Sequence, residues 1–118
     1  MRAEILIVDD DASVRMSLGK LPSSHGYRST TVEDGAAALR CAGHLSPTVI
    51  LMDVHMPKMD GIETARALKA DPALAHVPII GMSAERPPAE CKSLFASFVL
   101  KPVSVMELLE AIDQAMRR

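Results

Sequence analysis

Val49-Ile50-Leu51-Met52-Asp53 sets four apolar side chains in unbroken succession and closes them with a carboxylate. A half-buried strand alternates apolar and polar residues. An unbroken apolar run of this length instead fits a strand covered on both faces, as inside a parallel sheet. Ile5-Leu6-Ile7-Val8, Val77-Pro78-Ile79-Ile80 and Phe98-Val99-Leu100 are runs of the same kind. A weaker candidate, Tyr27 to Val32, is β-branched, follows the turn signal His25-Gly26 and suits a sheet edge.

Helical patterns lie between the runs. Val14, Leu18 and Leu21 recur at i, i+4 and i+7, and Pro22 is expected to end that helix. Glu33 to Gly43 is Ala-rich, with Gly43 as its C-cap. Asp60 to Ala70 turns Ile62, Ala65 and Leu68 inward, and Asp71-Pro72 stops it. Val105, Leu108, Leu109, Ile112 and Met116 form one stripe behind Ser104, an N-cap whose capping box Glu107 completes. Pro87-Pro88 cannot lie inside a helix but can begin a short one. Strand and helix thus alternate five times. Right-handed crossovers then predict an α/β fold with one doubly wound, five-stranded parallel sheet, order 2-1-3-4-5, and helices on both faces. The helix after the fourth strand is expected to be short or irregular, and residues 1–118 to form a single domain.

Composition closes off several functions. Apolar residues make up 48% and charged residues 24% of the 118, an ordinary balance for a folded soluble chain. A net charge of −2 offers no basic field for a nucleic-acid backbone, so no nucleic-acid binding is expected from this chain. Tyr27, Phe95 and Phe98 are its only aromatic residues, too few to build stacking platforms for bases or a flavin. No apolar run is long enough to span a membrane, and no membrane partner is expected. Cys41 and Cys91 have no C-x-x-C spacing and read as reduced filler in a cytoplasmic protein. His25, His44, His55 and His76 share no zinc-ligand spacing with them.

Each predicted buried strand ends in polar residues: Asp9-Asp10-Asp11, Asp53, Ser83 and Lys101-Pro102. Open parallel sheets bind ligands beyond the carboxyl ends of their strands, where the strand order reverses. In the order 2-1-3-4-5, the first and third strands are neighbours there, so Asp9, Asp10 and Asp53 converge. Packed carboxylates repel one another unless a cation intervenes, and Mg²⁺ suits one or two carboxylates with phosphate oxygens and water. Lys101 supplies a positive charge and Ser83 a hydroxyl donor for phosphoryl oxygens. Asp53, alone on its strand, is then the expected nucleophile of an aspartyl phosphate, with Asp9 and Asp10 arranging the metal. Asp11 is the best N-cap of the three acids. Gly61 is expected to adopt a backbone conformation closed to other residues, so that the chain after Asp53 can turn tightly.

Taken together, I-L-I-V-D-D-D at 5–11, V-I-L-M-D-V-H-M-P-K-M-D-G at 49–61, I-I-G-M-S-A at 79–84 and F-V-L-K-P at 98–102 resemble the receiver domain of two-component response regulators. The resemblance implies Asp53 as phosphoacceptor, Asp9 and Asp10 as metal-organising acids, and the backbone carbonyl of His55 as a further metal ligand. It also implies Ser83 as the switch hydroxyl, followed by small Ala84, Lys101 as the phosphoryl-binding lysine, and a cis peptide before Pro102. Phe98 falls at the rotating aromatic switch, and is equally readable as a core residue. His55 and Glu85 stand where the family modulates phosphoryl hydrolysis. The implied partners are a sensor histidine kinase or histidine phosphotransfer protein, and a downstream protein or output domain. The chain would accept a phosphoryl group without being a turnover enzyme. Its departures, Pro22, the short interval from Ser83 to Lys101 and Phe95-Ala96-Ser97 before the last strand, bear on the helix after the fourth strand.

An alternative is a Mg²⁺-dependent phosphohydrolase resembling the haloacid dehalogenases, with Asp9-x-Asp11 as the nucleophile motif. That family needs a later acid following a strand, whereas Glu107, Glu110 and Asp113 fall inside the predicted last helix. A receiver-like binding module that is never phosphorylated is a third reading, which the active residue types at the strand ends oppose.

Overall fold

The computed structural model describes residues 4–24, 26–55, 60–86 and 93–117. β1 (Glu4–Val8), α1 (Ala12–Ser24), β2 (Arg28–Val32), α2 (Gly35–Leu45), β3 (Val49–Asp53), α3 (Gly61–Ala70), β4 (Ile79–Ser83), β5 (Ser97–Leu100) and α4 (Val105–Met116) follow one another along the chain. The five strands form one sheet in the order β2-β1-β3-β4-β5, and every pairing is parallel. The expected doubly wound topology is therefore the observed one.

The unbroken apolar runs have the burial they imply. All five residues of β3 and of β4 are buried, because each strand is covered on both faces. Leu6, Val8, Ile50, Met52 and Ile79 pack on one face with Ala38 and Ala42 of α2 and Ala65 and Leu68 of α3. Ile5, Ile7, Leu51, Ile80 and Met82 pack on the other with Leu18 of α1 and Leu108 and Ile112 of α4. Each such Ile or Leu stabilises the fold by about 1.5–3 kcal/mol relative to leaving it in water.

Several local expectations are corrected. α1 runs through Pro22 to Ser24; a proline deletes one amide donor but does not stop the two residues after it from completing the last turn. α2 continues past Gly43 to Leu45, and its left-handed cap is Ser46, with φ 49°. β4 begins at Ile79 because Pro78 cannot donate to the ladder, although its carbonyl still accepts from the Ile50 amide at 3.0 Å. β5 is an edge strand, so Leu100 is exposed and only Val99 of the expected buried run is buried. On α4 the inward positions are Leu108, Ile112 and Ala115, while Val105 is exposed. Ser104 caps α4, as the sequence implies, and Asp60, expected as the first residue of its helix, is instead the cap of α3. Residues 84–86 and 93–96 are non-helical. The rest of the segment in which a short helix was expected, including Pro87-Pro88 and Cys91, lies outside the described residues, as does Met56-Pro57. Cys41 is a free thiol, half-buried on α2. The Lys101–Pro102 peptide is cis.

Candidate functional site

Register decides what meets at the rim of the sheet. Val8 of β1 pairs with Met52 of β3, so Asp9 and Asp53 leave adjacent strands at the same height. Both are buried, at 0% and 4% exposure. Lys101 follows β5 directly and lays its ammonium between them, with Nζ 3.2 Å from Asp9 Oδ2 and 3.3 Å from Asp53 Oδ2. Asp10 completes the group: one carboxylate oxygen from each of Asp9, Asp10 and Asp53 lies within 4.8 Å of the others. Asp11 stands outside this set and is the expected N-cap of α1. It accepts from the Ser13 hydroxyl at 2.7 Å and the Ser13 amide at 2.9 Å, and these bonds hold its carboxyl below the usual range.

The electrostatics follow from the packing. Burial, then the charge of Asp9, pushes the Asp53 carboxyl up to about 6, against the pull of Lys101 and of the His55 amide, which donates to Asp53 Oδ1 at 3.2 Å. Burial works against the Lys101 ammonium as well, but Asp9 and Asp53 outweigh it and raise its pKa. One lysine thus serves two buried carboxylates, with a third beside them. The residues fit a hard divalent cation: oxygens sharing one Mg²⁺ at about 2.0–2.1 Å are separated by no more than about 4.2 Å, and the observed spread needs only a slight contraction.

Ser83 reaches the rim at the end of β4, where its hydroxyl is engaged by the turn that follows. It donates to the Glu85 carbonyl at 2.6 Å and accepts from the Glu85 amide at 3.2 Å. It therefore serves the turn after β4, and contact with a phosphoryl oxygen requires the hydroxyl to rotate. Both His55 and Glu85 are exposed, as befits rim residues.

Phe98 is half-buried beside Phe95, ring centroids 4.8 Å apart and planes tilted by 43°. Its strand partner is Gly81, where a Cβ would stand 2.6 Å from two Phe98 ring carbons. The seat of this ring exists because residue 81 is glycine, a role that sequence patterns alone do not single out. A lone glycine inside a strand is the available signal of close approach. For Gly61 the expectation is corrected: its φ is not positive, and what the position requires is the absence of a Cβ. An apolar recess of about 220 Å³ between α1 and the β5–α4 loop, lined by Val14, Leu18, Pro102 and Val103, opens beside Lys101.

Comparison with known proteins agrees with this arrangement. Residues 5–113 match the family model of the response regulator receiver domain. The DNA-binding response regulator MtrA of Mycobacterium tuberculosis is 32% identical over 122 residues, covering 100% of this chain and 52% of its own length. The response regulator PleD of Caulobacter vibrioides is 44% identical over 85 residues, 71% of this chain and 18% of its own length. The chain thus spans about half, or less, of the curated relatives it matches. Among solved structures, the chemotaxis protein CheY4 of Vibrio cholerae superposes with a TM-score of 0.92 at 28% identity, covering 98% of this chain and 99% of its own. The receiver domain of the sensor histidine kinase PA1611 from Pseudomonas aeruginosa, described with a magnesium ion coordinated in its active-site cleft, gives 0.90 at 29% identity with both chains fully covered.

Proposed function

Because the chain belongs to the response regulator receiver domain family, we propose that Asp53 is its phosphoacceptor and that the molecule is a switch set by phosphorylation of that residue. The observation that carries this is the Lys101 ammonium bridging two buried carboxylates of adjacent strands, 3.2 Å from Asp9 and 3.3 Å from Asp53. A carboxylate oxygen of Asp53 attacks phosphorus. The bond from phosphorus to the donor, a phosphohistidine nitrogen, breaks, and its electron pair stays on the imidazole. Lys101 exchanges part of its contact with Asp53 for a phosphoryl oxygen, and the Ser83 hydroxyl leaves the Glu85 carbonyl to donate to another. Movement of Ser83 along β4 frees room next to Gly81, and Phe98 follows, altering the surface around β4 and β5.

Asp9, Asp10, Asp53 and the backbone carbonyl of His55 would hold Mg²⁺. When bound, it supplies the positive charge that lets phosphoryl oxygens approach three acids. The magnesium described in the PA1611 receiver supports this. The donor is a sensor histidine kinase or a histidine phosphotransfer protein, and the recipient of the signal a downstream protein or an output domain. No helix among the described residues is long and apolar enough to cross a membrane, and a cytoplasmic site of action accords with such partners. The module accepts and loses its phosphoryl group without turning over a substrate.

The dehalogenase-like alternative finds no support. It needs Asp9 and Asp11 as a working pair, yet of these two only Asp9 joins the acidic cluster, with Asp10 and Asp53. Its second acid, Asp11, caps α1.

Incubation with acetyl phosphate and Mg²⁺, followed by borohydride trapping and peptide mapping, tests the assignment. The label is expected at Asp53, and EDTA is expected to prevent it. A label at Asp9 would favour hydrolase chemistry, and no label at all would refute the switch. A further expectation concerns lifetime. His55→Ala and Glu85→Ala change exposed groups flanking the entry to Asp53, so each should alter the decay of the aspartyl phosphate severalfold without blocking its formation. Decay curves of both variants coinciding with the native one would contradict this.

A further inference from the structure

We infer that Arg15 is a positioning residue for the metal-binding acids, acting through the peptide between Asp9 and Asp10; the inference rests on the proposed role of Asp10 as a metal ligand. Arg15 lies in the first turn of α1, and its Nη1 reaches back to donate to the Asp9 carbonyl at 2.8 Å. Helix formation does not call for a cation there. The first turn is the positive end of the helix dipole, where acids are favoured and bases are not. What the position offers is reach: long side chains on a helix lean toward its N-terminus, here toward the loop that carries the acids.

Asp9 and Asp10 are held very differently. All four polar groups of Asp9 are tied: the amide to the Val32 carbonyl at 3.2 Å, Oδ1 to the Asp11 amide, Oδ2 to Lys101 and the carbonyl to Arg15. Asp10 is exposed, and its carboxylate has no hydrogen-bond donor among the described residues. With no side-chain partner, the only part of Asp10 that the surrounding protein can hold is its backbone. The peptide group is planar, so fixing the Asp9 carbonyl oxygen fixes the plane from which the Asp10 Cα departs. Asp9 has three other anchors besides Arg15, whereas the peptide that leads into Asp10 is held at its carbonyl by Arg15. The Arg15 amide is itself bonded to the Asp11 carbonyl at 3.0 Å, which makes the base of the lever rigid.

The test is Mg²⁺ binding to the full chain, followed by amide chemical shifts, for the native protein, Arg15→Met, Arg15→Lys and the charge control Arg40→Met on the exposed face of α2. Groups that orient a metal ligand typically contribute roughly ten- to a hundredfold in metal affinity. Arg15→Met should raise the half-saturating Mg²⁺ concentration by about that factor. Arg15→Lys, whose amine can still donate, should recover part of the loss, and Arg40→Met should leave the midpoint unchanged. At saturating Mg²⁺ the rate of labelling by acetyl phosphate should return to near the native value, which a role in general stability would not produce. An unchanged midpoint in Arg15→Met, or an equal shift in Arg40→Met, overturns the inference. If Arg15→Met does not fold, Arg15→Lys decides: a raised midpoint sustains it and an unchanged one overturns it. Native protein that binds Mg²⁺ but takes no label at Asp53 would defeat the proposed switch and leave Arg15's role standing; native protein that binds no Mg²⁺ would defeat both.

Discussion

Asp53→Asn is expected to take up no phosphoryl group and yet, in metal-free buffer at pH 8, to be more stable than the native chain. The amide is close in shape to the carboxylate but is no nucleophile, so labelling falls to background. The stability gain comes from the same burial that positions the reactive group. Burial and the Asp9 charge raise the Asp53 carboxyl from 3.8 to about 6, so the folded state holds that proton more tightly than the unfolded chain does. Below pH 3.8 both states are protonated and Asp53 costs nothing. Between 3.8 and about 6 the unfolded chain ionises first and stability falls. Above that window the whole penalty applies. Each pH unit separating the folded and unfolded titrations is worth about 1.4 kcal/mol, which makes roughly 2–3 kcal/mol in all. Asparagine removes that penalty. For a domain of this size the gain amounts to roughly 10 °C in Tm. The advantage should shrink as pH falls from neutrality toward the acid end of that window. It should also shrink in saturating Mg²⁺, which stabilises only the native protein's complete site by mass action. Thermal melts across pH, with and without the metal, measure both trends. A variant less stable than native at pH 8 without metal would show that burial and the Asp9 charge do not penalise the Asp53 carboxylate.

The parts of this protein that can be read from its sequence are those written locally. A strand covered on both faces needs an unbroken apolar run wherever it lies, and β1, β3 and most of β4 carry one. Polar residues that close such runs are few, and parallel strands bring their carboxyl ends to one rim, so Asp9, Asp10, Asp53, Ser83 and Lys101 can be grouped without knowing a distance. The helix cap with a side-chain acceptor at Ser104 is equally legible. What escapes depends on neighbours distant in sequence or on the state of the chain. Gly81 matters because Phe98 pairs beside it, a register no local pattern encodes. Arg15 reads as an ordinary polar helix residue until its guanidinium is seen at the Asp9 carbonyl. Ser83 carries the expected hydroxyl, but its engagement by the Glu85 carbonyl depends on the path of the turn after β4, which composition cannot decide. Pro22 and Gly43 show the converse: as punctuation they predict ends that are too early, since the two helices run on to Ser24 and Leu45.

Gly61→Ala is expected to damage fold and site together, because the methyl has nowhere to go. Gly61 is buried at the start of α3, and its amide donates to the Val54 carbonyl at 2.9 Å. A Cβ there would press on the carbonyl oxygen of Asp53 and lie 2.7 Å from the Val54 Cα. Both obstacles are backbone, so no rotamer change relieves the contact; either β3 or the first turn of α3 must move. β3 is the central strand, hydrogen-bonded on both sides and fully buried, which leaves α3 to yield at the expense of its cap. Overpacking of this kind costs typically 1–3 kcal/mol and more where the backbone is pinned, so a loss of about 3 kcal/mol is expected. The native margin of a domain is about 5–15 kcal/mol, so the variant should still fold and can be assayed. Whatever strain α3 does not absorb falls on the Asp53 carbonyl, and a small misplacement of a reacting group is costly in rate. Gly61→Ala should therefore label more slowly with acetyl phosphate even at saturating Mg²⁺, where Arg15→Met should recover. Gly43→Ala is its control, since a Cβ there meets nothing within 4 Å and should if anything stabilise α2. Equal Tm values for the Gly61 and Gly43 variants would show that the β3–α3 junction has slack that the close approach denies.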